Sequence, residues 1–338
     1  MSRENLLIVA DSQRDANMLY AVGLFVPDAF IYLRLQGKCH VVMSDLEIDR
    51  VRQQASHCRV LSLSRCQAAL RQQGIKQPGL AHVIRFVLQR KRLSKLFVPH
   101  NFPLGLAQQL RRLRVRVEVK PGGLFPEREI KTAAEVKKMS AALMMAEVGL
   151  AEGIQALKNA KVGRNRRLIY HHVPLTSEKL RAIIDTAILQ AGGLANHTIV
   201  AGGIQGCDPH EPGRGLLRAR EPVILDVFPR SQKTGYFGDI TRTVVKGRAS
   251  EAIRKLYHTV ERGQELAFEK MRDKTPTAKI HEAVQAFFKK EGYKTGKHQG
   301  RMQGFFHGTG HGLGLDIHEP PRIAPAKLSS DRSPFFWS

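Results

Sequence analysis

The chain has 338 residues, 42% of them hydrophobic and 25% charged, which is enough apolar material to offset chain entropy and excludes global disorder. Its length suits two domains rather than one small core. No apolar run approaches the ~20 residues that span a bilayer, and Met1 to Ala10 lacks the apolar core of a signal peptide, so the expected location is cytoplasmic with no membrane partner. Cys39, Cys58, Cys66 and Cys207 show no CxxC spacing, so neither a zinc knuckle nor a disulfide framework is indicated. The net charge is +24, and residues 51–120 hold fifteen Lys or Arg against a single acid, Glu118. Such a stretch can attract nucleic acid or another polyanion. No RNA-binding aromatic motif accompanies it, which favours a solvated face or one covered by another subunit.

Along the chain, Leu6–Ala10 reads as a buried strand, followed by Asp11 and Ser12 as caps for a helix from Arg14 to Tyr20. Ala29–Leu33 and Cys39–Met43 read as strands joined at Gly37, then Asp45–Gln54 as a helix. Leu96–Val98 is a strand, Pro103–Leu113 a helix and Val115–Val119 a closing strand. The Pro and Gly cluster from Lys120 to Pro126 marks a domain boundary. Beyond it the spacing predicts helices over Ala133–Leu157, Ser177–Gln190, Ala252–Met271 and Thr277–Lys290.

Two clusters carry chemistry. Pro222–Phe228 and Tyr236–Val245 read as strands joined by turn residues, a hairpin with Asp226 on one arm and Asp239 on the other. Aspartate is disfavoured in strands, and two acids on adjacent strands repel unless a cation or proton lies between them. A hard divalent ion answers both problems, while a pair of exposed acids on a hairpin edge is the plainer alternative. The second cluster runs from His307 through Gly308, Thr309, Gly310, His311 and Gly312 to His318, Glu319 and Pro320. Its alternate glycines argue against a helix. In an extended segment residues four apart share a face, so His307 and His311 are expected to point the same way. A dinucleotide loop fails because positions 313 and 315 are Leu. A zinc HExxH helix fails because Arg322 and Gln285 stand where the second histidine belongs.

In this order, Leu225-Asp226, Gly238-Asp239-Ile240-Thr241-Arg242-Thr243 and His307-Gly-Thr-Gly-His311 with His318-Glu319-Pro320 resemble the pita-bread metallopeptidases: aminopeptidase P, prolidase and methionine aminopeptidase. Arg128 to Lys131 before Glu135 resembles the usual start of that catalytic domain. Asn17 to Gly23 resembles, more loosely, the N-terminal domain of the aminopeptidase P and prolidase branch. The resemblance implies an α/β fold: a creatinase-type N-terminal domain over 1–122, a catalytic domain over 128–325 with a curved antiparallel sheet and helices outside it, and a non-matching tail over 326–338. It implies a metallo-aminopeptidase of Xaa-Pro type, hydrolysing the N-terminal bond of a peptide with Pro second, with two Mn²⁺, Co²⁺ or Zn²⁺ ions activating water. By position, Asp226, Asp239 and His311 match metal ligands. His307, His318 and His210 match the histidines that act on substrate, and His197 is a rival to His210.

That family uses two further glutamate ligands beyond the histidine motif. After Glu319 the only acid here is Asp331. The ending therefore reads as a truncation or a change of reading frame, with the sheet incomplete, at most one weakly held ion and impaired hydrolysis. The alternative is a non-catalytic pita-bread module that binds peptide, protein or nucleic acid. Nucleic acid is the less favoured partner, and self-association is left open.

Overall fold

The computed structural model describes residues 4–325, so the tail set apart at 326–338 lies outside the described residues. The chain divides into two compact units, Met1–Pro126 and Glu127–Ser338.

The first unit runs β1 (Leu6–Ala10), α1 (Ala16–Val22), β2 (Phe30–Leu35), β3 (Lys38–Met43), α2 (Ile48–Gln54), β4 (Cys58–Ser62), α3 (Leu63–Gln72), α4 (Leu80–Gln89), β5 (Lys95–Val98), α5 (Leu104–Arg112) and β6 (Arg116–Val119). Its sheet has the order β4-β3-β2-β1-β5-β6. The pair β1–β2, connected through α1, and the hairpin β2–β3 are antiparallel, and β3–β4, β1–β5 and β5–β6 are parallel across helical crossovers. Side chains alternate across the sheet, and both faces are covered. Leu7, Leu33 and Val42 pack with α3, α4 and α5, whereas Leu6, Ile8, Tyr32 and Val41 pack with α1 and α2. Burial on both faces is why β1 is apolar without interruption.

Three local readings change. Helix α1 starts at Ala16, because Asp15 is the cap and its carboxylate accepts from the Met18 N–H at 2.7 Å. Ser12, fully buried, instead donates to the Leu24 carbonyl and accepts from the Val26 N–H, tying down the loop after α1. Helix α2 starts at Ile48 rather than Asp45, whose carboxylate accepts from the hydroxyls of Ser62 and Ser64 at the start of α3. The turn cluster contributes to the core: Leu124 and Phe125 are buried against α1 and β2, with the Phe125 ring 5.3 Å from that of Tyr20. The unread stretch between β4 and β5 is two helices, α3 and α4. Arg52, Arg59, Arg65, Arg71, Lys76 and Arg90 in and around them are exposed, so the charge of the basic segment lies at the surface of this unit.

The second unit opens with α6 (Ala133–Asn159), started by a capping box in which Thr132 and Glu135 satisfy each other's backbone N–H groups. Short strands β7 (Lys161–Val162), β8 (Leu168–Tyr170) and β9 (Val173–Pro174) make a small sheet before α7 (Ser177–Gln190). Then come β10 (Gly193–Leu194), β11 (Ile199–Gly202), β12 (Pro222–Val227), β13 (Arg230–Ser231), β14 (Ile240–Val245), α8 (Glu251–Lys270), α9 (Thr277–Lys290), the hairpin β15 (Gly296–His298) and β16 (Arg301–Gln303), β17 (Gly310–Gly312) and β18 (Glu319–Ile323). An antiparallel sheet β11-β12-β14 carries α6 and α7 on one face, joined through Leu150, Ile184, Ile188, Val200 and Leu225. Gly149 and Gly153 let those helices approach: a Cβ at either would lie under 3 Å from Ile188 or Ile184. Among the described residues no helix is long and apolar enough to cross a membrane.

Candidate metal centre

Strand alternation decides where Asp226 points. Val223, Leu225 and Val227 of β12 are buried against α6 and α7, so Asp226 falls on the opposite face. Its register partners are Ile199 on β11 and Thr241 on β14, and the Thr241 hydroxyl donates to Asp226 Oδ1 at 2.6 Å. Burial raises the Asp226 carboxyl above the ordinary range, while Thr241 and the imidazoles of His311, His210 and His318 pull it down.

Asp239 sits one residue ahead of β14, so the second arm of the hairpin is shorter than the sequence suggests. The Gly238 N–H donates to the Pro229 carbonyl, and the Phe237 N–H donates to the Gly314 carbonyl at 2.9 Å. These bonds take 237–238 out of the β14 ladder and fasten the aspartate segment to the histidine loop. Gly238 is required by close approach: a Cβ there would lie 2.5 Å from the α6 backbone at Ala142. Asp239 is raised by burial and then by the charge of Asp226, against the pull of His311.

His311 stands on β17, paired to β18 across a register shift after His311. Gly312 and Gly314 let the two passes close, because a Cβ at Gly312 would lie 2.2 Å from the Pro320 carbonyl oxygen. The Nδ1 of His311 lies 3.0 Å from the Gly312 carbonyl, and its Nε2 lies 3.7 Å from Asp239 Oδ2. A carbonyl only accepts, so Nδ1 carries the proton, and in the neutral ring Nε2 offers a lone pair toward a carboxylate. Two acceptors face each other, an arrangement that a shared cation relieves. The His318 ring lies 4.4 Å from that of His311, and burial, followed by the charges of His311, Arg322 and His210, lowers its pKa.

Of the histidines matched by resemblance, His311 lies beside Asp239 and His318 packs against His311. The charge of His210 is among those that lower the Asp226 carboxyl, and His197 is exposed at φ +60°. The chain bends at His307 and becomes extended only at Gly310, so the continuous extended segment expected from His307 to His311 does not form. His307 lies edge-on to Phe305 at 4.9 Å and makes no hydrogen bond or ion pair with either aspartate. Phe305 in turn stacks on the buried His281, whose Nδ1 meets the Thr309 hydroxyl at 3.0 Å.

Glu319 is closed off from a ligand role. It is 3% exposed, accepts from the Leu315 and Asp316 N–H groups, and pairs with Arg128 and with Lys131 Nζ at 2.8 Å. Burial raises its pKa, but Arg128, Lys131 and the Asp316 N–H outweigh this and hold it below the ordinary carboxylate range. Sequence reasoning noted Arg128 and Lys131 only as a resemblance. The available signal was an acid beside His318 in a run with no cation of its own, since a buried carboxylate requires a partner.

Among the described residues no three His, Cys, Asp or Glu side chains converge closely enough to hold a metal ion as the chain stands. The donor set nevertheless fits one. Two half-buried carboxylates raised by burial face an imidazole whose free nitrogen is aimed at one of them.

An Xaa-Pro dipeptidase of Lactobacillus delbrueckii subsp. lactis is 25% identical over 198 residues, 58% of this chain and 48% of that protein, so the match spans about half the length of the curated relative. Among solved structures, the X-Pro aminopeptidase from Thermotoga maritima MSB8 superposes with a TM-score of 0.76 at 18% identity, covering 98% of this chain and 84% of that one. The prolidase from Pyrococcus furiosus gives 0.73 at 19%, covering 96% and 83%. These likenesses establish the mixed α/β pita-bread fold. Residues 137–333 match the model of metallopeptidase family M24, and the chain belongs to that family.

Proposed function

We propose that the second unit is a peptidase centre of Xaa-Pro dipeptidase or aminopeptidase type, in which Asp226, Asp239 and His311 hold a divalent cation. The observation that carries this reading is the His311 ring, oriented by the Gly312 carbonyl with Nε2 toward Asp239 and Asp226 alongside. Mn²⁺, Co²⁺ or Zn²⁺ bound there supplies Lewis acidity and makes hydroxide available near neutral pH. His318, against His311, is assigned the N–H that stabilises negative charge developing on the peptide carbonyl oxygen, and His210 a contact to the peptide. His307 keeps a substrate role by resemblance alone.

Three side chains are few for two ions, and the neighbouring acid Glu319 is engaged by Arg128 and Lys131. The 338-residue polypeptide is therefore expected to hold at most one divalent ion, weakly, and to hydrolyse slowly or undetectably. The test is calorimetric titration with MnCl₂ together with cleavage of an Xaa-Pro dipeptide and an Xaa-Pro-Xaa tripeptide. Asp239→Ala should abolish whatever metal binding and cleavage the chain shows. Unchanged Mn²⁺ affinity in that variant would place the centre elsewhere. The second reading, a non-catalytic module, is favoured by the exposed basic side chains of the first unit. It predicts retention on RNA that falls steeply with salt, with no cleavage under any metal.

A further inference from the structure

The first unit contains a thiol pair that lies outside everything described above. Cys39 on β3 and Cys58 on β4 are direct register partners in a parallel pair. Register partners project from the same face, and neighbouring strands lie ~4.8 Å apart, inside the ~4.4–6.8 Å Cα span that a disulfide bridges. The Tyr32 hydroxyl lies 3.4 Å from the Cys39 sulfur. Cys58 and Tyr32 are buried, whereas Cys39 is partly exposed and can meet a small reagent.

We propose that Cys39 and Cys58 are a redox-active dithiol, with Cys39 the attacking sulfur and Cys58 the resolving one, converted by hydrogen peroxide into an intramolecular disulfide. The neighbouring Cys58 holds the Cys39 thiol well below the ordinary cysteine range; burial opposes this, while Tyr32 and the nearby charges of His57 and Arg34 assist it. The Cys39 sulfur and burial push Cys58 up. With Cys39 partly exposed and Cys58 buried on the neighbouring strand, the two sulfurs are placed as an attacking and a resolving thiol require. Cys66, buried on the opposite face of the sheet and raised by burial, is the inert control within the same unit.

The reaction balances. The Cys39 thiolate attacks one peroxide oxygen, the O–O bond breaks, and the departing hydroxide takes a proton to become water, leaving a sulfenic acid on Cys39. Cys58, losing its proton to solvent, attacks the Cys39 sulfur. The S–O bond breaks and the second hydroxide leaves as water. Two electrons pass from the thiols to the peroxide, giving one disulfide and two waters.

The experiment exposes the reduced 338-residue protein to hydrogen peroxide, caps remaining thiols with N-ethylmaleimide, and reads intact mass and peptide maps. The expected result is the loss of two hydrogen atoms, a Cys39–Cys58 linked peptide, reversal by dithiothreitol, and the same outcome in Cys66→Ser and Cys207→Ser. In Cys58→Ala the oxidation should stop at a dimedone-reactive Cys39 sulfenic acid. Iodoacetamide labelling of Cys39 near pH ~6 should slow about tenfold there, because the neighbouring thiol that lowers its pKa is gone. The proposal is overturned if wild-type Cys39 labels no faster than the exposed Cys207, or if peroxide leaves Cys58 free while Cys39 oxidises. Both readings come from wild-type protein, so they stand even if a variant folds poorly.

Discussion

Strands β1 to β3 in the first unit and strands β12 and β14 in the second use the same backbone geometry for opposite ends. In β1 to β3 most residues are buried, because helices cover both faces of the sheet. In the second, β12 buries only alternate residues, and Thr241, Arg242 and Thr243 of β14 are exposed. Covering both faces makes a stable sheet with little room for charged groups. Leaving one face open lets a strand present a carboxylate without fully burying it, and the cost is two raised pKa values at Asp226 and Asp239.

The largest expected effect tests the covered sheet. Leu33→Ala, at 0% exposure in the core shared with α4 and α5, should cost about 4 kcal/mol of stability in urea denaturation. A loss under half of that would mean the site relaxes and that coverage by helices matters less than argued. Gly238→Ala probes the seam between the open sheet and α6. The added methyl meets α6 backbone rather than a flexible side chain, so we expect about 3 kcal/mol of destabilisation and a lower Mn²⁺ affinity in the folded fraction. Stability close to wild type would show that α6 and the aspartate segment move apart easily.

Glu319→Gln should cost about 2 kcal/mol at pH ~7, since glutamine keeps acceptor capacity for Leu315 and Asp316 but leaves Arg128 and Lys131 facing a neutral group. The folded carboxyl titrates below its unfolded value, so its contribution is complete above the ordinary glutamate range and is lost as pH falls through the folded value. The acid limb of the stability curve should therefore be shallower in the variant, and parallel limbs would refute the ion-pair account. The smallest effect belongs to Thr241→Val, which removes the hydroxyl bond to Asp226 at a cost of about 1 kcal/mol. Because that bond lowers the Asp226 pKa, its loss should weaken Mn²⁺ binding more at acid than at alkaline pH. Equal weakening at both would assign Thr241 a purely structural role.

Much of this was legible in the residues. Helices α7 and α9 begin and end where the apolar spacing placed them, because their caps and faces are local signals. Asp226, Asp239, His311 and His318 stood out because acids in strand patterns and histidines among glycines have few ordinary uses. Helices α3 and α4 were not read, since their Arg and Gln face solvent and their apolar positions gain meaning only from the sheet they cover. The extended segment expected from His307 to His311 is interrupted by a bend at His307, and residues four apart share a face only where the chain is extended.

The sequence by itself determined the long helices of the second unit, the strands that carry or precede Asp226 and Asp239, the acid and histidine inventory and the basic segment, all of which follow from nearest-neighbour periodicity and composition. Only the tertiary structure decided that Glu319 is occupied by Arg128 and Lys131, that Nε2 of His311 is turned toward Asp239, and that Cys39 and Cys58 are register partners. Each of these joins residues far apart in the chain, and such pairings are fixed by sheet register and helix docking, which no local pattern encodes.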